Sequence, residues 1–158
     1  MMLSCNENKA DNIVIEVSTS GCYKSCPILD LRFNHNEIYF NFIKNNYKKG
    51  TYKYKLTNQE LSKIDSLLSI INIHSLKESY TSHRSDMQIY STRIVIGNKE
   101  KEVLFYDNEA PKNFENLVDF LINIRKNKEL EKTNIMLNLK TREKVKILKL
   151  PVPPIPKS

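Results

Sequence analysis

The sequence predicts an α+β fold: a single antiparallel β-sheet of about six strands, in the order ββββ-α-ββ-α, with two helices packed on one face. Three observations predict it. Four short segments before residue 57 alternate apolar and polar side chains, the period of a strand with one buried face. Two later stretches repeat apolar residues at three and four positions, the period of an amphipathic helix. Between them lies a strand–turn–strand segment, so strands cluster in runs rather than alternating singly with helices.

The elements follow in order. Ile13, Ile15 and Val17 alternate with Val14, Glu16 and Ser18, a first strand that runs into the turn Ser20-Gly21-Cys22. Pro27 has no N–H to give a ladder and fits a strand's first residue. Leu29, Leu31 and Phe33 then share one face, with Asp30 and Arg32 on the other. Asn34-His35-Asn36 is turn-forming, and Ile38, Phe40 and Phe42 return as the hairpin partner. After a turn from Asn45 to Gly50, Tyr52, Tyr54 and Leu56 alternate with Lys53 and Lys55. Thr57-Asn58-Gln59-Glu60 spells a capping box, in which hydroxyl and carboxylate each satisfy an orphan N–H of a starting helix. Leu61, Ile64, Leu68 and Ile71 follow at helical spacing, and the helix ends near Asn72. His74 to Asp86 is polar and reads as a loop. Gln88 to Ile96 is a strand, Gly97-Asn98 a hairpin turn with glycine free to take positive φ, and Val103 to Tyr106 the returning strand. Asp107 or Asn108 is placed to cap a second helix, with Pro111 in its first turn and Phe114, Leu117, Val118, Leu121 and Ile122 as its apolar stripe.

This divides the chain into an N-terminal tether (1–11), an α+β domain (12–126) and a basic, proline-ending tail (127–158). In the tail, Ile135-Met136-Leu137 reads as a short strand or helix turn. Val145 and Ile147 alternate with lysines as an edge strand, and Leu150 to Pro156 is polyproline-like.

The 158 residues are 40% hydrophobic and 27% charged, a globular composition. A chain of this length buries roughly 70% of its unfolded surface and needs no metal or disulfide to hold a core. The net charge of +7 raises the question of nucleic acid. Its placement argues against that partner for the folded body. Residues 1–125 carry 16 basic and 15 acidic side chains, whereas 126–158 carry 9 basic and 3 acidic. The excess belongs to the tail, which leaves a basic cytosolic protein binding nucleic acid through that tail as a third-ranked reading.

Cys5 follows Met2-Leu3-Ser4 and precedes Asn-Glu-Asn-Lys, as the lipid-bearing cysteine of a bacterial lipoprotein does. The basic and apolar parts of such a signal are not among the four residues before it, so this reading expects a start upstream of Met1. It then places the protein, lipid-anchored to a membrane, in the cell envelope; otherwise the expectation is cytoplasmic. Cys22 and Cys26 form the remaining pair, in Gly21-Cys22-Tyr23-Lys24-Ser25-Cys26-Pro27. A disulfide between them suits an oxidising compartment and needs a turn that brings the Cα atoms within about 4.4–6.8 Å. Two readings stand beside that clasp. Cys-x3-Cys-Pro is similar to the copper site of Sco-type copper chaperones, where two thiolates and a distant His bind the metal; here His83 is the candidate, with His35 and His74 also present. Thiol–disulfide exchange is the other, with Lys24 placed to lower a thiol pKa.

The strand ending in Ser18-Thr19-Ser20-Gly21-Cys22-Tyr23, then Ser25-Cys26-Pro27, a hairpin and Gly50-Thr51-Tyr52 resembles the bacterial domain of unknown function 6438 family. The resemblance continues through the capped helix, Tyr80, Asp86, Tyr90 and Thr92, over residues 12–125. Lys24 departs from the small residue expected there. The family is often found in envelope lipoproteins and has no established activity, so the resemblance implies no catalytic residue.

The loop around Tyr80, His83 and Asp86 is a second candidate site, with His83 and Asp86 as an acid–base pair. Tyr39, Tyr52, Tyr54 and Tyr90 fall in strands, where aromatics pack across the sheet; a tyrosine face binding carbohydrate or peptide is the sharper alternative. No cofactor is implied. The sequence thus favours a non-catalytic binding or structural module of the envelope, with an unidentified protein or ligand as partner, over a copper or redox protein.

Overall fold

A computed structural model describes residues 12–84, 86–127 and 129–147. Its elements are β1 (Ile13–Thr19), β2 (Ile28–Asn34), β3 (Glu37–Lys44), β4 (Gly50–Lys55), α1 (Asn58–Ser69), β5 (Ser79–Tyr80), β6 (Ile89–Ile96), β7 (Lys99–Tyr106), α2 (Lys112–Asn123), β8 (Glu131–Lys132) and α3 (Lys140–Ile147). The strands form one sheet in the order β5-β7-β6-β1-β2-β3-β4-β8. The predicted sheet of about six antiparallel strands with two helices on one face is therefore corrected. The described sheet has eight strands and is mixed, because β5 runs parallel to β7. β5 and β8 are two residues each, too short to show a period, and lie at the two edges.

Strand alternation fixes the two faces. Ile15, Val17, Leu29, Leu31, Phe33, Ile38, Phe40 and Phe42 are all buried and point to one side. There they meet Ile64, Leu67 and Leu68 of α1 and Phe114, Leu117, Val118 and Leu121 of α2. The expected capping box forms: the Glu60 N–H donates to Thr57 Oγ1 at 3.2 Å and the Thr57 N–H to Glu60 Oε2 at 2.8 Å. Thr57→Ala is expected to cost about 1 kcal/mol, read as a shift in the urea midpoint without a change in slope. α2 starts differently from expectation. Asp107 and Asn108 sit in a turn, Asn108 at φ 63°, and the N-cap is Pro111. Buried Glu115 instead reaches back to accept the Ala110 N–H at 3.1 Å. Gly97 does adopt positive φ, at 61°, between β6 and β7.

The other face carries charge. Glu16 is 4% exposed and lies between Arg32 at 2.9 Å and Arg93 at 3.4 Å. Asp30, Ser18 and Ser91 are equally hidden, because α3 packs over β1 and β6 there. The predicted edge strand through Val145 and Ile147 is thus a helix. Thr141 and Val145 are four apart and both buried, one helical turn, while Glu143 and Lys146 are exposed. Residues 133–139 connect β8, beside β4, to α3, above β1. Four strand spacings of about 4.8 Å make this roughly 19 Å, within reach of seven extended residues. Leu137 and Leu139 are buried along this strap while Asn138 between them is exposed. Residues 148–158, including the polyproline-like segment, and the tether with Cys5 lie outside the described residues. Among the described residues no helix is long and apolar enough to cross a membrane.

Candidate functional site

β1 and β2 part at one end of the sheet, and residues 20–27 bridge them. Cys22 and Cys26 are joined by a disulfide with Cα atoms 5.5 Å apart. The loop is tied down from several neighbouring elements. Thr19 Oγ1 accepts the Leu29 N–H at 3.0 Å and donates to the Pro27 carbonyl at 2.8 Å, replacing the ladder where the strands diverge. Gln88, at the start of β6, donates through Nε2 to the carbonyls of Ser20 and Pro27, both at 2.8 Å. Asn45 Nδ2 donates to the Cys26 carbonyl at 3.2 Å. Gly21 has little room for a side chain, since a Cβ would lie 3.3 Å from Ile28 Cδ1.

Arg142 of α3 closes the set. Its Nη1 donates to the Thr19 carbonyl at 3.0 Å and its Nη2 to the Leu29 carbonyl at 2.8 Å, one on each strand at the mouth of the loop. Its Nε donates to Asp30 Oδ1 at 2.8 Å. Ser18 Oγ also donates to Asp30 Oδ1, at 2.7 Å, which uses its single proton. Thr141 therefore donates to Ser18 across their 2.8 Å contact.

The disulfide loop stands between two clefts. One, of about 700 Å³, is lined by Gly21, Cys22 and Tyr23, by His83, Arg84 and Asp86, and by Arg142 and Val145 of α3. The other, of about 730 Å³, is lined by Ser25 and Pro27, the Asn45–Lys48 turn and the Arg125–Asn127 segment after α2. A smaller cavity of about 160 Å³ lies beneath the loop, with Gln88, Tyr90, Asp119 and Arg125 in its wall. Burial raises the Tyr90 hydroxyl well above the ordinary phenol range, so it is a neutral donor, to Gln88 Oε1 at 2.8 Å. Burial also raises the Asp119 carboxyl and lowers the Arg125 guanidinium.

Some predicted site residues come together here and others do not. Cys22, His83 and Asp86 line the same cleft. Tyr80 does not share it: it sits in β5, where its hydroxyl accepts the Lys77 N–H at 2.9 Å. No hydrogen bond joins His83 to Asp86 among the described residues, and Ser82 Oγ accepts the Arg84 N–H at 3.2 Å within its own turn. His35 lies in the β2–β3 turn, at the opposite end of β2 from the pair, and His74 in a 3₁₀ turn after α1. Both sulfurs of the pair are spent on the disulfide, and no three His, Cys, Asp or Glu side chains gather among the described residues. Tyr52, Tyr54 and Tyr90 share the core-facing side of the sheet and pack inward, and Tyr39 lies on the other. Tyr54 and Tyr90 are core residues, Tyr52 packs on Phe42 under Lys48, and Tyr39 bonds Glu37 on the far side.

Gln88, Arg125 and Arg142 carry this end of the molecule without having stood out in the sequence. Each works through backbone carbonyls or through elements distant in the chain, and neither leaves a pattern. The tail offered one cue. Arg142 is its single arginine among lysines, and arginine is the cation suited to several simultaneous acceptors.

Residues 13–125 match the family model described as Domain of unknown function (DUF6438), and the chain belongs to that family. No curated protein matches it. The match ends before β8 and α3, so the arginine that grips the loop lies outside the matched span.

Proposed function

We propose that this DUF6438 member is a non-catalytic binding module of the cell envelope, locked in its oxidised form and presenting the disulfide end of its sheet to a ligand or partner. The Cys22–Cys26 bond carries the reading. Such a bond persists in oxidising compartments, and here it closes the loop that separates two clefts. The surrounding bonds favour a fixed recognition surface over redox exchange, because both flanks of the loop are held by Thr19, Gln88 and Arg142. Membrane attachment through a lipid at Cys5 fits the polarity of β1. That strand starts at Ile13 and runs toward the disulfide, about 24 Å for seven residues. An anchor ahead of Ile13 joins the sheet at the end of β1 opposite the disulfide loop.

The thiol state tests this reading. Protein exported with a signal sequence, denatured and alkylated without reductant, is expected to show no label on Cys22 or Cys26 by mass spectrometry. Labelling of both overturns it. Cys22→Ser/Cys26→Ser is expected to lower stability by about 2 kcal/mol, the contribution of so short a loop.

A further inference from the structure

The cleft on the Ser25–Pro27 side combines three features that point to one ligand chemistry. The first is charge. Lys48, Arg125 and Lys126 line it, and none of its described lining residues is acidic. Lys48 is occupied over the Tyr52 ring, 4.9 Å from its centre. Half-buried Arg125 has only neutral acceptors among the described residues, the Ile122 carbonyl at 3.2 Å and Asn123 Oδ1 at 3.3 Å. Asp119 shares the smaller cavity with Arg125 but forms no ion pair with it among the described residues, and a cation drawn out of water without a paired carboxylate is one that an incoming anion stabilises.

The second feature is Asn46. Its Nδ2 donates to the carbonyls of Ile28 at 2.9 Å and Lys44 at 2.7 Å, which fixes the orientation of the amide. Its Oδ1 is left buried with no partner, alone in this among side-chain polar atoms of the described residues. Buried polar atoms are nearly always paired, so this one marks a place for a donor. The third is Tyr47, fully exposed on the same wall. An aromatic ring standing in water beside a polar cleft is a stacking surface without an occupant.

We propose that this cleft binds an acidic saccharide, a sugar ring bearing a carboxylate. The carboxylate meets Arg125 and Lys126, the C–H face of the sugar lies on Tyr47, and a ring hydroxyl donates to Asn46 Oδ1 where a small shift of the Asn45–Lys48 turn uncovers it. A simple inorganic anion answers only the charge, and a neutral sugar leaves the two cations unmet. This rests on the reading of the chain as a binding module and names the ligand class of one of its clefts.

Titration of the full chain with tri-galacturonate by calorimetry tests it, on protein whose Cys22–Cys26 bond has first been confirmed by mass, so that compartment and ligand fail separately. Saturable binding is expected, weakened at least tenfold by Arg125→Gln and by Tyr47→Ala, with no binding of neutral maltotriose. Tyr47 is fully exposed, so its variant keeps the test intact if Arg125→Gln folds poorly. Absence of saturable binding overturns the proposal. So does tri-galacturonate binding that sulfate or a glutamate-rich peptide matches in strength, or that Tyr47→Ala leaves unchanged.

Discussion

Phe114→Ala is expected to destabilise the protein by about 3–5 kcal/mol, the range for truncating a large aromatic in a core that cannot collapse around the space. Phe114 has no exposed surface and stands edge-on to Phe105, ring centres 5.4 Å apart. Phe105 in turn stacks on Tyr90 at 4.8 Å, so one aromatic column runs from α2 into β7 and β6. Edge and stacked pairs add about 0.5–1.5 kcal/mol beyond area alone. The column ends at function: the Tyr90 hydroxyl bonds Gln88, which holds the two loop carbonyls. Urea unfolding gives the loss of stability. Hydrogen exchange at the Ile89 amide, which donates to Ser20 Oγ at 2.8 Å, is expected to accelerate with it. A loss below about 1 kcal/mol would mean that α2 repacks and the column is not rigid.

Phe114 was legible in the sequence because it belongs to a stripe, and a stripe is a repeated signal. The same holds for Ile15 and Val17, for Leu29, Leu31 and Phe33, and for the Thr57–Glu60 box: each is local, periodic or both. The Cys22–Cys26 pair was legible as a spacing, with the copper and redox readings left beside it. The second face was not legible. Glu16, Asp30 and Arg32 alternate with the apolar residues exactly as solvated side chains do, and sequence offers no sign that two of the three are buried. Their burial depends on a helix more than a hundred residues away, whose eight residues are mostly charged and whose apolar positions also fit a strand. The basic tail likewise changes meaning. Arg142 pairs with Asp30, Lys144 with Glu102 and Lys146 with Glu143, so part of the charge that suggested an external polyanion is engaged within the fold. What escaped prediction at the clefts was long-range in the same way. Asn46 and Arg125 are separated by half of the chain and meet in one wall.

Arg142→Ala tests whether that distant helix is integral. Asp30 is 2% exposed, and the guanidinium is its only cationic partner within 4 Å among the described residues. Removing one member of a buried pair costs about 3–5 kcal/mol, because the remaining charge stays out of water. Here the loss has a ceiling. α3 and its strap can lift away, which lets water reach Asp30 and converts the penalty into the cost of undocking. The expected result is therefore a loss of about 3 kcal/mol in urea unfolding. It is accompanied by fast exchange of the α3 amides, while those of β1, β2 and β3 stay protected. Thr19 and Leu29 lose their shared donor at the same time, so the mouth of the disulfide loop loosens before the sheet does. Arg142→Lys separates charge from geometry. A lysine restores one contact to Asp30 but cannot span both carbonyls, so it should recover only part of the stability and leave the loop amides exchanging faster than in the parent. Full recovery by lysine would reduce Arg142 to a counter-ion; a neutral effect of alanine would show that α3 is not docked on this face in solution.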